Sequence, residues 1–230
     1  MDVAEREREF VGVRGPDAAD YLQRMVSNDV EALGVGEACP ALLLTAKARV
    51  IAPLVVWRRG DEDFLVLTEP GLGDRVREEL ARLRFRARCE IEPEEHTALL
   101  VFGGADGFAT DWPGARELLD SQLESTLHAA ELELRRIEAG VPRWGHEIDD
   151  KILPAEAGLD ATHISFSKGC YPGQEPIARL HYRGHANREL RVVELNDGVE
   201  VERVTSEATR PDGSRVGLAY VRTNAKARTG

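Results

Sequence analysis

The chain reads as an α+β protein built on antiparallel sheets. Three features predict this: apolar runs of strand length, single amphipathic helices set between them, and a hairpin-like stretch after Arg188. Phe10–Val13 is a short strand closed by Arg14-Gly15-Pro16. Pro16 suits a first helical turn, and Ala18, Tyr21, Leu22 and Met25 follow at helical spacing. Ser27-Asn28-Asp29 should end that helix, because their side chains favour caps and turns. Cys39–Ala46, Val50–Trp57 and Phe64–Thr68 are strand-like, the last two joined across Arg58–Asp63. Leu72, Val76, Leu80 and Leu83 mark the apolar face of a second helix, a core stripe. Ala87–Ile91 and Thr97–Phe102 are further strands. A third helix passes through Ala130, Leu134 and Ile137 and stops at Gly140, with Pro142 beyond. Residues 141–167 are expected to be loop. Leu190–Leu195, Val199–Thr205 and Val216–Val221 make a three-strand unit, turning at Asn196-Asp197-Gly198 and Pro211-Asp212-Gly213, before a frayed tail from Thr223.

Composition narrows the function. The chain has 230 residues, 42% of them hydrophobic, and a net charge of −11. A real core is expected rather than disorder. No apolar run approaches the roughly 18 residues of a membrane span. The charged start, Met1 to Glu9, predicts no secretory leader, and cytoplasmic residence is the expectation. The acidic balance argues against general nucleic-acid binding, which needs a cationic surface. Cys39, Cys89 and Cys170 are odd in number and lack metal-ligand spacing, so no disulfide framework and no self-contained metal site are expected. With 26 arginines against four lysines, a lone Arg carries little weight.

The most informative segment is Lys168-Gly169-Cys170-Tyr171-Pro172-Gly173-Gln174-Glu175. Its glycines and proline let the backbone turn sharply around the thiol. Pro176 suits the first turn of a helix through Ile177 and Leu180, which sets Cys170 just before a helix N-terminus with Lys168 nearby. Both features favour the thiolate. The competing reading is a small buried hydrophobe in a turn. Cys39 and Cys89 read as core. After this segment, Arg179, Arg183, Arg188 and Arg191 face one acid, Glu189, over a short stretch. That run is either a carboxylate-binding surface or a solvated face. His181 and His185 are four apart, and Gly184 between them favours chance spacing over metal ligation.

That segment resembles the K-G-C-(F/Y)-x-G-Q-E signature of the YgfZ family of folate-binding proteins, relatives of the glycine cleavage T-protein, an aminomethyltransferase. Ala178-Arg179 and Tyr182-Arg183-Gly184 continue the likeness. Upstream, Ser27-Asn28-Asp29-Val30, Arg136-Ile137-Glu138-Ala139-Gly140-Val141-Pro142 and Leu153–Leu159 resemble shared elements. The resemblance implies a T-protein-like fold: a folate-binding body over 1–187 and an abbreviated β-barrel-like module with its tail over 188–230. It implies tetrahydrofolate as cofactor, Cys170 as the functional thiol, and Lys168, Gly169, Tyr171, Gly173, Gln174, Glu175 and Arg179 as its motif. Glu138, Asn28 and Arg183 are the implied folate contacts; a carboxylate such as Glu138 can accept paired hydrogen bonds from a pterin. The implied role is an accessory factor in iron–sulfur cluster assembly or repair, acting with iron–sulfur proteins or assembly factors and affecting tRNA modification through them.

The departures from the pattern also matter. T-proteins carry a catalytic aspartate where this chain has Ala52-Pro53, and Ala48 replaces a common glycine. An aminomethyl transfer therefore lacks its evident proton-handling group. The alternative, a folate-dependent aminomethyltransferase or demethylase, stays open. A single cysteine cannot hold a cluster alone, so any cluster contact needs a partner or small thiols.

Overall fold

The structure is a computed structural model, and it describes residues 1–195 and 203–223. In chain order its elements are β1 (Asp2–Arg6), β2 (Glu9–Arg14), α1 (Ala18–Met25), β3 (Ala38–Leu44), β4 (Val50–Gly60), β5 (Asp63–Thr68) and α2 (Gly73–Arg82). There follow β6 (Glu90–Glu94), β7 (Ala98–Phe102), β8 (Phe108–Ala109), β9 (Ala115–Leu119) and α3 (Ala129–Glu138). Two short 3-10 turns, Pro154–Ala157 and Leu159–Ala161, precede α4 (Gln174–Arg183), β10 (Arg188–Glu194), β11 (Arg203–Thr209) and β12 (Arg215–Arg222). Among the described residues the strands form three antiparallel sheets, ordered β3-β4-β5-β2-β6, β1-β7-β9-β8 and β10-β12-β11. The fold class is the α+β class expected from the sequence.

The five-stranded sheet is covered on both faces, and its strands therefore read as nearly continuous apolar runs. Phe64 and Val66 of β5 join Val11, Val13, Tyr21, Leu22, Val76 and Leu80 under α1 and α2. Leu65 and Leu67, one residue out of phase, pack instead with Phe10, Val55, Ala98 and Phe108 toward the second sheet. The period of two thus assigns each β5 side chain to one of two cores. A third core, with Leu42, Leu44, Val50, Ile164, Tyr171, Ile177 and Tyr220, lies beneath α4.

Several expectations shift. The charged start, ahead of the first predicted strand, forms β1, which pairs with β7 from Asp2 opposite Phe102 to Arg6 opposite Ala98. Just beyond it the Arg8 side chain is buried, with its guanidinium 2.8 Å from Asp111 and 3.0 Å from Glu117. An Arg rarely goes inside without such partners, and the local pattern gives no sign of them. Strands β8 and β9 are additional to the predicted elements, because Gly107, Asp111 and Gly114 dominate that stretch as turn signals. Within 141–167 the two 3-10 turns break the expected loop. Strand β11 runs Arg203–Thr209, later than the predicted strand. The expected turn at Asn196-Asp197-Gly198, the start of the Val199 strand and the tail after Thr223 lie outside the described residues.

The three-stranded sheet packs on α3 through Ile137, Val216 and Leu218. Beside this contact, buried Arg136 donates to Glu147 at 3.0 Å and to the Ser206 hydroxyl at 2.7 Å, while Ser206 donates to Glu147 at 2.6 Å. This is a buried ionic staple between α3, the following loop and β11.

Candidate functional site

The Lys168–Glu175 segment is held against the body by the Ser27-Asn28 turn. The Ser27 hydroxyl donates to the His163 carbonyl at 2.6 Å, and the Asn28 amide donates to the carbonyls of Pro40 at 2.7 Å and Thr162 at 3.1 Å. The Lys168 ammonium donates to the carbonyls of Val26 at 2.8 Å and Asn28 at 2.6 Å. Burial pushes this ammonium down to about 8, against the opposing charge of Asp29. Lys168 is therefore a structural tether. Its donors are directed into the body, at the carbonyls of the turn after α1.

Gly173 caps α4 with a φ of +83°, a left-handed conformation that glycine adopts without cost. A Cβ there would lie 2.6 Å from the Thr45 carbonyl and 3.1 Å from the Cα of Ala48, so the missing side chain lets α4 dock on the β3–β4 turn. Ala48 itself has a φ of +58°, a left-handed conformation that glycine adopts more readily than alanine. Pro176 lies in the first turn of α4, as expected. Ile177 is buried beneath the helix, whereas Glu175, Arg179 and Arg183 are exposed.

Between α4, the 3-10 turns and the edge of the β10-β12-β11 sheet runs a cleft of about 1770 Å³. Cys170 lies exposed on its wall. Tyr171, Gly173, Gln174, Glu175, Arg179 and Arg183 line the same cleft, so the structure brings most of the motif to one surface. Leu153, Ile164, Ile177 and Leu190 give it an apolar floor. Arg179 and Arg183, one helical turn apart, have no carboxylate partner among the described residues, whereas Arg191 is paired with Glu189. His181 stacks on Phe166 with ring centres 3.9 Å apart. His185 lies beyond the end of α4, and no cluster suited to a metal ion occurs among the described residues.

Tyr171 is 7% exposed, and its hydroxyl has no hydrogen-bond partner among the described residues. Burial pushes this phenol up to about 12. Nothing in the sequence distinguished its hydroxyl from the ring that carries it.

Four sequence-predicted residues lie off the cleft. Lys168 and Asn28 anchor the segment from behind, and Gly169 does not line the cavity. Glu138, at the end of α3, pairs with Arg210 at 2.6 Å and faces the β-sheet module. Ala52 and Pro53 sit inside β4, fully buried, with no acid at that position.

Residues 5–134 match the GCVT N-terminal domain, over more than half of the chain. The chain belongs to the GCVT family. It is 28% identical over 218 residues to the tRNA-modifying protein YgfZ of Cronobacter sakazakii, covering 77% of this chain and 66% of that protein. It is 25% identical over 228 residues to the mitochondrial iron–sulfur cluster assembly factor IBA57 homolog of Neurospora crassa, covering 80% of this chain and 51% of that one. The chain thus spans between about half and two thirds of these relatives' lengths. The glycine cleavage system aminomethyltransferase T of Bartonella henselae shares the fold, with a TM-score of 0.79 at 18% identity over 96% of this chain and 78% of that one. The YgfZ and T-protein resemblance read from the motif holds. No helix among the described residues is long and apolar enough to cross a membrane.

Proposed function

We propose that this GCVT-family chain is a folate-binding accessory protein of iron–sulfur cluster assembly or repair, presenting Cys170 from the wall of its cleft. The observation that carries this reading is the convergence of an exposed Cys170, an apolar floor and the unpaired Arg179 and Arg183 in one cavity. That donor set fits a tetrahydrofolate: a flat heterocycle for Ile164, Ile177 and Tyr171, and a glutamate tail for the guanidinium forks. A bound reduced folate supplies nitrogens that carry one-carbon groups; the chain's residues hold it and fix its orientation beside the thiol. Small-molecule sites measure about 300–1,000 Å³, so a cleft of about 1770 Å³ also leaves room for a partner surface. An iron–sulfur protein or assembly factor, or its bound sulfur species, would meet Cys170 there. The names of the relatives, iron–sulfur assembly factor and tRNA-modifying protein, agree with this reading. In a chain of net charge −11, an effect on tRNA runs through iron–sulfur enzymes in the cytoplasm rather than through direct RNA binding.

The aminomethyltransferase alternative is weakened by Ala52 and Pro53, which offer no proton-handling group. The deciding experiment is complementation of a bacterial strain lacking its YgfZ-type protein, scored by iron–sulfur enzyme activity, together with calorimetric titration of tetrahydrofolate. The wild-type chain restores activity and binds folate, and Cys170→Ala binds folate without restoring activity. Full rescue by Cys170→Ala, or no folate binding by the wild type, overturns the reading.

A further inference from the structure

We infer that the α2–β6 turn around Phe85 is a docking site for a partner protein, taking an acidic segment that carries one bulky apolar side chain. The site shares no lining residue with the cleft, so the inference stands apart from the folate reading.

The Phe85 ring contributes nothing to the core, for the residue is 87% exposed. It occupies the first central position of a turn closed by the Ala87 N–H on the Arg84 carbonyl at 2.9 Å. Its φ there is +45°, a left-handed conformation uncommon for a bulky side chain. The fold thus bears backbone strain to hold an aromatic ring in water. Beside the ring opens a surface pocket of about 610 Å³, with an apolar floor of Tyr21, Met25, Leu83 and Ala87. The Tyr21 hydroxyl is already spent on the Leu80 carbonyl, so that ring adds no free polar group to the floor. An exposed aromatic beside such a hollow suits one inserted anchor residue.

Charge selects the kind of segment. Arg82 to Arg88 carries four arginines and no acid, in a chain of net charge −11. Arg82 is paired with Glu79, Arg88 with Asp17, and Arg24, which also lines the pocket, with Asp20. Arg84 gives one N–H to the Cys89 carbonyl at 3.0 Å, and Arg86 has no carboxylate partner among the described residues. The two guanidinium groups flanking Phe85 are therefore open to carboxylates, which they can hold bidentately. A second copy of this chain would bring the same arginines and be repelled. A nucleic-acid strand or an anionic membrane needs a longer cationic surface, and here the neighbouring arginines are already neutralised by Asp17, Asp20 and Glu79. A short acidic segment needs only the two arginines and the pocket.

The test is selection of displayed peptides on the immobilised full chain, with counter-selection on Phe85→Ser. Recovered peptides should place Asp or Glu around one Leu, Ile, Met or Phe. A synthetic peptide of that composition should bind wild type about tenfold more tightly than Phe85→Ser or Arg86→Glu. Its affinity should fall as salt rises. Both variants alter exposed side chains, so their Tm should stay within about 2 °C of wild type. A larger fall would give the ring or the charge a structural role and overturn the inference. No enrichment, enriched peptides without acids, or equal binding by both variants also overturns it. Tighter Phe85-dependent binding of oligothymidylate or of phosphatidylglycerol vesicles assigns the patch to a nucleic acid or a membrane instead. Phe85-dependent dimerisation in ultracentrifugation assigns it to a second copy, and either result sinks the acidic-segment proposal.

Discussion

Lys168 and Asn28, 140 residues apart in sequence, meet where the Lys168 ammonium donates to the Asn28 carbonyl at 2.6 Å. The bond joins the turn after α1 to the segment carrying Cys170, and a second donation to the Val26 carbonyl at 2.8 Å doubles it. Lys168→Met keeps the aliphatic stem but leaves both carbonyls unpaired. The expected cost is about 2 kcal/mol, a Tm drop of about 4–8 °C. A melting scan showing less than about 1 °C of change would remove the tether argument.

Gly173 holds α4 against the β3–β4 turn by having no side chain. Gly173→Ala meets both an unfavourable φ of +83° and the Thr45 carbonyl 2.6 Å from the new Cβ. About 3 kcal/mol should be lost, combining the left-handed penalty with the clash. Urea denaturation gives the number, and a loss under about 0.5 kcal/mol would show that the helix start can move freely.

The buried Arg136, Glu147 and Ser206 staple predicts unequal costs. Arg136→Met leaves the Glu147 charge buried and uncompensated, for a loss of about 3–5 kcal/mol. Ser206→Ala removes two hydrogen bonds but no charge, for about 1–2 kcal/mol. Chemical denaturation of both variants checks the ranking, and equal costs would contradict a charge-dominated staple.

His163 makes the fold acid-sensitive. Burial pushes its imidazole down to about 4, with nearby Arg8 adding to the shift and Asp111 opposing it. The unfolded chain takes up that proton near pH 6.5, so between about 6.5 and about 4 it binds more protons than the native state. Stability therefore falls as pH drops through this window, by about 2 kcal/mol between pH 7.5 and 5. His163→Gln should flatten that slope in urea titrations at the two pH values; an unchanged slope would assign the acid sensitivity to other groups.

Thiol accessibility separates the three cysteines. Cys170 is exposed, Cys89 is buried, and burial of Cys39 pushes its thiol up to about 12. Native protein treated with iodoacetamide at pH 7.5 should take one label, at Cys170, and denatured protein three. Rapid native labelling of Cys39 would mean that β3 opens.

The apolar patterns alone determined much of this protein. Val50–Val56 and Phe64–Leu67 could be read as strands because their period sorts side chains between two covered faces, and Leu72, Val76 and Leu80 as a helix because they share one stripe. The eight residues around Cys170 carry the family resemblance within one short segment, since their glycines and prolines prescribe a backbone path locally. The tertiary structure decided whatever depends on partners far along the chain. The Arg8 side chain could go inside only because Asp111 and Glu117, more than a hundred residues away in sequence, meet it there. Lys168 is a tether because Val26 and Asn28 present their carbonyls to it. The resemblance implies Glu138 as a folate contact, and the structure pairs its carboxylate with Arg210, off the cleft. A local pattern encodes backbone conformation and which face is buried; it does not encode which distant group satisfies a buried charge or leaves a buried hydroxyl unpaired.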